Sequence, residues 1–347
     1  MRAIVIHAAR DLRVEERPDA RPGPGEVAVR IAVGGICGSD LHYFQHGGFG
    51  TVRLREPMIL GHEVAGTVAE TGPGVTRVAV GDRVAVSPSR PCRACRYCLE
   101  GLPNHCLAMR FYGSAMPMPH VQGAFRDELV CDEAQCERAT VAPASALAMA
   151  EPFAVALHAS GRAGSLLGRR VLVTGSGPIG ALAVVAARLH GAAEVVATDV
   201  QAAPLVIARR LGADRTIDVG ADPAGLDPWT AEKGAFDVMF ECSGDGRALA
   251  AGLAAVRPRG TVVQLGLGGD VPLPQNVVVA KELSITGSFR FHPEFAFAVR
   301  LIDEGRVDLS PLLTGTFPAE RATAAFEAAS DRRSAMKVQI AFAGEAA

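Results

Sequence analysis

The rhythm of apolar and polar positions changes once along the chain, near Glu151-Pro152. Before that point, short apolar runs such as Ala3–Ile6, Val27–Val33 and Val64–Ala69 are separated by turn signals, among them Pro18–Gly25 and Gly72-Pro73-Gly74. Short runs bounded by Pro and Gly predict strands, and so a compact β-rich domain over residues 1–150. Beyond it, Pro152 is well placed in the first turn of a helix continuing through Phe153–Ala163. Strand-like Arg170–Thr174 follows, then a helix to about Leu189, strand Glu194–Thr198 and helix Pro204–Leu211. The alternation goes on through Thr216–Val219, Val238–Glu241, helical Ala248–Val256, Thr261–Leu265 and Leu283–Ser288. Strands alternating with helices predict a doubly wound parallel sheet over residues 151–289, and so an α/β chain. Residues 290–347, with helical Glu294–Glu304 and Ala319–Ser330 and strand Lys337–Ala341, are expected to return to the first domain. Residues 43–57 read as a glycine-bearing loop; its aromatics Tyr43, Phe44 and Phe49 could line a substrate cleft or simply lie in a surface loop.

Composition narrows the function classes. A chain of 347 residues can hold two cores, and a net charge of −2 points to neither nucleic acid nor an anionic membrane. No apolar run approaches membrane-spanning length, and Met1–Ile6 is strand-like and soon charged, so the expectation is a cytoplasmic protein without a signal peptide. In that compartment the eight cysteines read as metal ligands or free thiols.

Three stretches carry candidate chemistry. Cys37-Gly38-Ser39-Asp40-Leu41-His42 and Gly61-His62-Glu63 offer a thiolate, an imidazole and a carboxylate, a mixed S, N and O set that suits Zn²⁺. Ser39 lies two residues past the thiolate, where its hydroxyl could receive the proton of an alcohol activated by that metal. Cys92, Cys95, Cys98 and Cys106 form a second, all-sulfur set, the composition of a closed structural zinc site; Cys131, Cys136 and Cys242 lack such spacing and read as ordinary thiols. The third stretch is Gly175-Ser176-Gly177-Pro178-Ile179-Gly180 between strand and helix, with Asp199 ending the next strand. That is the dinucleotide fingerprint: Gly175 for the tight turn, Gly177 for approach to the pyrophosphate, Gly180 for helix packing and Asp199 for the adenosine ribose. With no arginine in Val200-Gln201-Ala202, NAD is favoured over NADP. The turns Cys242-Ser243-Gly244 and Leu265-Gly266-Leu267 fall at strand ends, where the nicotinamide half is expected.

With these residues in hand, the chain resembles the zinc-containing medium-chain alcohol dehydrogenases along essentially its whole length. Gly61–Gly66, with Gly72 and Val75, is similar to that family's zinc signature. Within the family it looks most like the polyol branch, nearest the L-idonate 5-dehydrogenases, on Gly35–Tyr43, Glu151-Pro152-Phe153 and Phe289-Arg290-Phe291. The resemblance implies a GroES-like catalytic domain joined to a Rossmann domain, two zinc ions per chain and hydride transfer to NAD. It implies Cys37 and His62 as catalytic-zinc ligands, with Glu63 or Glu151 as the third, directly or through water. Many relatives carry a cysteine where Glu151 stands. Ser39 would take the substrate proton, His42 would pass it to solvent, and Asp40 would orient the histidine ligand. Tyr43, Glu151 and Arg290 would join Ser39 around the substrate, although Arg290 also suits a salt bridge. Arg53 and Arg55 read as a solvated charge cluster, with selection of a sugar acid over a neutral polyol as the other account.

The expected substrate is a secondary alcohol of a sugar acid or polyol, idonate first, with sorbitol, xylitol and butanediol dehydrogenases as rival readings. A non-catalytic zinc- and nucleotide-binding regulator is a different class; the complete set of Cys37, Ser39, His42 and His62 speaks against it. A zinc-free reductase would be expected to lack Cys37 and the four-sulfur cluster. A homodimer or homotetramer is implied, with Val277–Val279 and Leu283–Ser288 as edge strands available to a second subunit.

Overall fold

Valine and isoleucine dominate the strand Glu26–Gly35, and the first sheet is organised about it. One edge pairs antiparallel with Glu63–Thr71; the other takes Glu128–Asp132 along its first half and Lys337–Ala341 along its second. Arg83–Val86, Cys136–Ala139 and Leu313–Pro318 complete seven strands. The β-branched residues suit this position because their stiff side chains pack on a pleated surface. The core beneath it joins Ile4, Val29, Ile31, Phe44, Phe125, Phe326 and Ile340, so the C-terminal segment is built into the first core.

The computed structural model describes residues 1–342, divided into two units: Met1–Glu151 with the chain from Phe295 onward, and Pro152–Glu294. The second unit is a six-stranded, all-parallel sheet in the order Arg215–Asp218, Glu194–Asp199, Arg170–Thr174, Phe236–Glu241, Val256–Gln264, Ser284–Gly287. Its central strands are rich in Val, Leu and Phe because both faces are covered there, by separate apolar clusters. The strand order reverses beside Arg170–Thr174, the position at which such sheets open a ligand crevice. No helix among the described residues is long and apolar enough to cross a membrane.

Two expectations are corrected. Residues 43–57 are not one loop: a helix Gly38–His46 runs through Tyr43, and a small hairpin pairs Gly48-Phe49 with Val52-Arg53. The helix starts where the Asp40 carboxylate accepts the Cys37 backbone N–H and stops at Gly47, whose φ of 67° ends it in the left-handed conformation. Val277–Val279 is not a strand either; it lies in the helix Gln275–Ala280 that follows Pro274, where Val277 and Val278 pack on the sheet's apolar cluster. Packing here overrides the β preference of valine.

Candidate active site

Register builds the first site. Gly35 lies opposite Glu63, which brings Cys37, two residues on, next to His62, one residue before. The thiolate sulfur, an imidazole nitrogen and a carboxylate oxygen of Cys37, His62 and Glu63 all lie within 4.8 Å of one another. Gly35 has to lack a side chain, because a Cβ there would sit 2.3 Å from Glu63 Oε2. Asp40, fully buried, ties the two segments together: one oxygen accepts the Cys37 N–H at 3.0 Å and the other the Gly61 N–H at 3.1 Å. Its Oδ1 stands 3.7 Å from His62 Nδ1, a buried nitrogen with no hydrogen-bond partner.

The strand Lys337–Ala341 contributes a residue that the sequence reading missed. Gln339 opposes Gly35, so Lys337 falls across from Cys37. Its buried ammonium donates to both oxygens of Glu63, at 2.8 and 2.7 Å, and to the Ile36 carbonyl at 3.2 Å. Burial works against that charge, yet Glu63, Cys37 and Glu151 hold the Lys337 pKa above its usual value. The only sequence signal was a lone lysine opening an apolar strand, which on its own is an ordinary surface pattern.

These residues fit a divalent cation. Burial pushes the His62 imidazolium down, but Asp40, Cys37 and Glu151 outweigh it and raise its pKa well above the usual value. Such a pocket has more negative than positive charge and demands a cation, which Zn²⁺ answers with ligands it prefers. Glu151 is buried at the start of the helix Ala150–Arg162; its carboxylate raises both His62 and Lys337, although it stands outside the tight group of three.

The helix Gly38–His46 carries Ser39 in its first turn, partly exposed, and His42 one turn later. The His42 ring lies 5.8 Å from Phe49 and 6.2 Å from His46, and burial, with His46 and Arg332, lowers its pKa. Tyr43 is buried, and its hydroxyl accepts the Ala115 N–H at 3.0 Å.

The sulfur cluster is assembled around the short helix Arg96–Leu99. Its four sulfurs lie within 4.8 Å of one another, and none of the eight cysteines is in a disulfide. Backbone N–H groups point at them: Cys92 to Cys106 Sγ, Cys95 to Cys92 Sγ and Leu107 to Cys95 Sγ. Backbone donors pull the Cys95 thiol down to about 6, while desolvation and its sulfur neighbours push Cys98 up to about 12. Four thiolates cannot share this space without a cation, and an all-sulfur tetrahedral set is the composition of a structural zinc site.

In the second unit, Gly175 turns with φ 81°, and a Cβ there would lie 2.7 Å from the Ser243 backbone. At Gly180 a Cβ would strike the Gly175 carbonyl, whereas beside Gly177 the space is open. Pro178 and Ile179 open the helix Pro178–Leu189. The Asp199 carboxylate accepts the backbone N–H groups of Ser176 at 2.7 Å and Gln201 at 3.0 Å, which places it beside the glycine turn. Glu241, fully buried and also missed in the sequence, accepts from the Ser243 and Gly244 N–H groups and from Gln264 Nε2 at 2.5 Å. It thereby fixes both turns, at Cys242–Gly244 and Leu265–Leu267, against each other; a Cβ at Gly266 would lie 2.2 Å from Gly244 N. Burial raises the Cys242 thiol far above its usual value, so it is an inert neighbour there. Arg290, with φ 57°, stacks its guanidinium 4.8 Å from the Phe289 ring in this unit.

Comparison with known proteins agrees with this geometry. Residues 23–141 match the family model described as alcohol dehydrogenase GroES-like domain, and residues 178–304 that described as zinc-binding dehydrogenase. The chain is 43% identical over 316 residues to the L-idonate 5-dehydrogenase (NAD(P)(+)) of Escherichia coli K12, covering 90% of this chain and 91% of that protein. The chain belongs to the zinc-binding dehydrogenases. A sorbitol dehydrogenase of Gallus gallus is 38% identical, covering 94% and 92% of the two chains. The crystal structure of the E. coli L-idonate 5-dehydrogenase superposes with a TM-score of 0.95 at 40% identity, covering 98% of each chain. As a zinc-binding dehydrogenase the protein is an oxidoreductase of the alcohol and polyol type, with zinc as its metal and a nicotinamide dinucleotide as its redox partner.

Proposed function

We propose that this zinc-binding dehydrogenase oxidises a secondary alcohol of a sugar acid or polyol, L-idonate first, to the ketone with NAD⁺. One observation carries the reading: the Cys37, His62 and Glu63 cluster stands in a chain that matches an L-idonate 5-dehydrogenase over nine-tenths of its length. Cys37, His62 and Glu63 would hold the catalytic zinc, with Glu151 close by; Cys92, Cys95, Cys98 and Cys106 would hold the structural one. When bound, zinc supplies Lewis-acid polarisation of the substrate hydroxyl, and NAD⁺ supplies the hydride acceptor. Ser39 Oγ accepts the hydroxyl proton, and His42, kept neutral by its partly buried position, takes it on toward solvent. Asp199 binds the adenosine ribose hydroxyls, and with no arginine in the three following residues NAD⁺ is preferred to NADP⁺. Tyr43 and Glu151 complete the proposed substrate surroundings within the first unit.

The test is NADH formation from L-idonate, sorbitol and xylitol, each with NAD⁺ and with NADP⁺. The highest kcat/KM is expected for idonate with NAD⁺. A higher value for sorbitol or xylitol would keep the reaction class and reject the sugar acid. We further propose a homo-oligomer in the cytoplasm, where free thiols survive. Its support is the edge strand Ser284–Gly287, which pairs only with Val256–Gln264 among the described residues. Light scattering on a sizing column decides; a monomer at micromolar concentration rejects it.

A further inference from the structure

Arg53 and Arg55 are both exposed and lie close together in the fold. Both line one cavity of about 190 Å³ in the first unit, together with Val52, Ala115, Met116 and His120. Several exposed arginines of this unit are paired with acids, among them Arg13 with Asp11, Arg77 with Glu137 and Arg138 with Asp82. Those at the cavity are not. Arg53 makes one hydrogen bond, from Nη1 to the Val52 carbonyl at 2.9 Å, and the Arg55 side chain has no ion pair or hydrogen bond among the described residues. A guanidinium that need not first leave a carboxylate is ready for an anionic ligand, which it grips at two points.

The cavity is built rather than incidental. His120, buried, accepts the Arg55 backbone N–H on Nε2 at 2.9 Å, so its proton is on Nδ1, which donates to the Pro117 carbonyl at 2.9 Å. The imidazole is therefore neutral and spent on holding Arg55 in place. Glu56, the neighbouring acid, accepts the His120 backbone N–H at 2.6 Å, locking the same clasp from the other side.

Two walls of the cavity are joined to the helix that carries Ser39 and His42. Val52 pairs with Phe49, whose ring lies 5.5 Å from Tyr43 and 5.8 Å from His42; Ala115 donates its N–H to the Tyr43 hydroxyl. We propose that Arg53 and Arg55 bind the anionic end, carboxylate or phosphate, of an acyclic polyhydroxylated substrate whose alcohol is presented to Cys37, His62 and Glu63. This inference rests on the dehydrogenase reading above and names what that site selects.

The experiment compares kcat/KM for L-idonate, galactitol-1-phosphate and sorbitol in the zinc-loaded enzyme, its R53Q and R55Q variants, and R55K. In each Gln variant the ratio of the anionic substrate to sorbitol is expected to fall about tenfold or more, mostly through KM, the size of a lost charged hydrogen bond. R55K should recover much of the loss. A fall for idonate alone identifies the carboxylate, and a fall for the phosphate alone identifies that group. An unchanged ratio in both Gln variants overturns the proposal. Should the wild-type enzyme turn over none of the three, the substrate reading fails separately. Calorimetric binding of idonate and galactitol-1-phosphate then decides the cavity: weaker binding to R53Q and R55Q supports it, and equal binding, or none to the wild type, rejects it.

Discussion

At the scale of single residues, Lys337 decides how the Glu63 carboxylate is held. Its side chain and that of Glu63 are almost wholly buried, at 4% and 1% exposure, so neither charge can turn to water. Removing one partner of such a pair strands the other, a loss of about 3–5 kcal/mol. Lys337→Met is therefore expected to destabilise the zinc-depleted protein by that amount in urea unfolding. Zinc bound by Glu63 would offer the carboxylate another cation, so a smaller loss is expected in the zinc-loaded protein. Equal losses in both states would show that Glu63 does not reach the metal. Lys337→Arg, which keeps the charge, should lose less than Met in either state. None of this could be read from sequence, since the lysine and the glutamate are 274 positions apart.

At the scale of elements, Asp303 shows how a helix end is joined to a distant loop. It closes the helix Glu294–Asp303, where a negative charge opposes the helix dipole. The structure turns that to use: its carboxylate accepts the N–H groups of Thr140, Val141 and Ala142 and the Thr140 hydroxyl, all at 3.0 Å or less. Burial favours the neutral acid, but these donors outweigh it and lower the Asp303 pKa. A folded value below the unfolded one, about 3.9, means stability that is present above that pH and lost as pH falls through the folded value. Asp303→Ala should cost about 1–2 kcal/mol at neutral pH, and Asp303→Asn should remove part of the loss of stability below about pH 4. An acid-unfolding profile identical to wild type would reject this role. Element existence was otherwise legible in the second unit, where periodic runs gave strands and helices close to those observed, apart from Val277–Val279, which is helical. It failed at the helix Gly38–His46, which is short, opens on Gly-Ser-Asp and is held by a buried carboxylate rather than by pattern.

At the scale of the whole molecule, two metal sites of different composition give separable expectations. The zinc-loaded protein should contain two zinc ions per chain by elemental analysis. Cys37→Ser should remove one, abolish turnover and leave NAD⁺ binding nearly intact, since the fingerprint glycines and Asp199 lie in the other unit. Cys95→Ser should remove the other and lower stability first, because an all-sulfur site without an open position has no place for substrate. A Cys37→Ser enzyme that keeps its turnover with full zinc would reject the catalytic assignment.

The sequence by itself determined the two kinds of domain, the six-strand alternation of the second, the fingerprint around Gly175 and the all-sulfur cluster. Each of these is local: turn chemistry, hydrophobic period and ligand spacing act within a few tens of residues. Only the tertiary structure decided that Gly35 opposes Glu63, that Lys337 takes both oxygens of that carboxylate, that Glu241 clamps two turns, and that Arg53 and Arg55 share one cavity. Those facts depend on strand register and on chain segments meeting from far apart. A slip of one residue in the pairing would turn every side chain to the opposite face, and nothing in the local pattern records which partner strand, or which register, the fold selects.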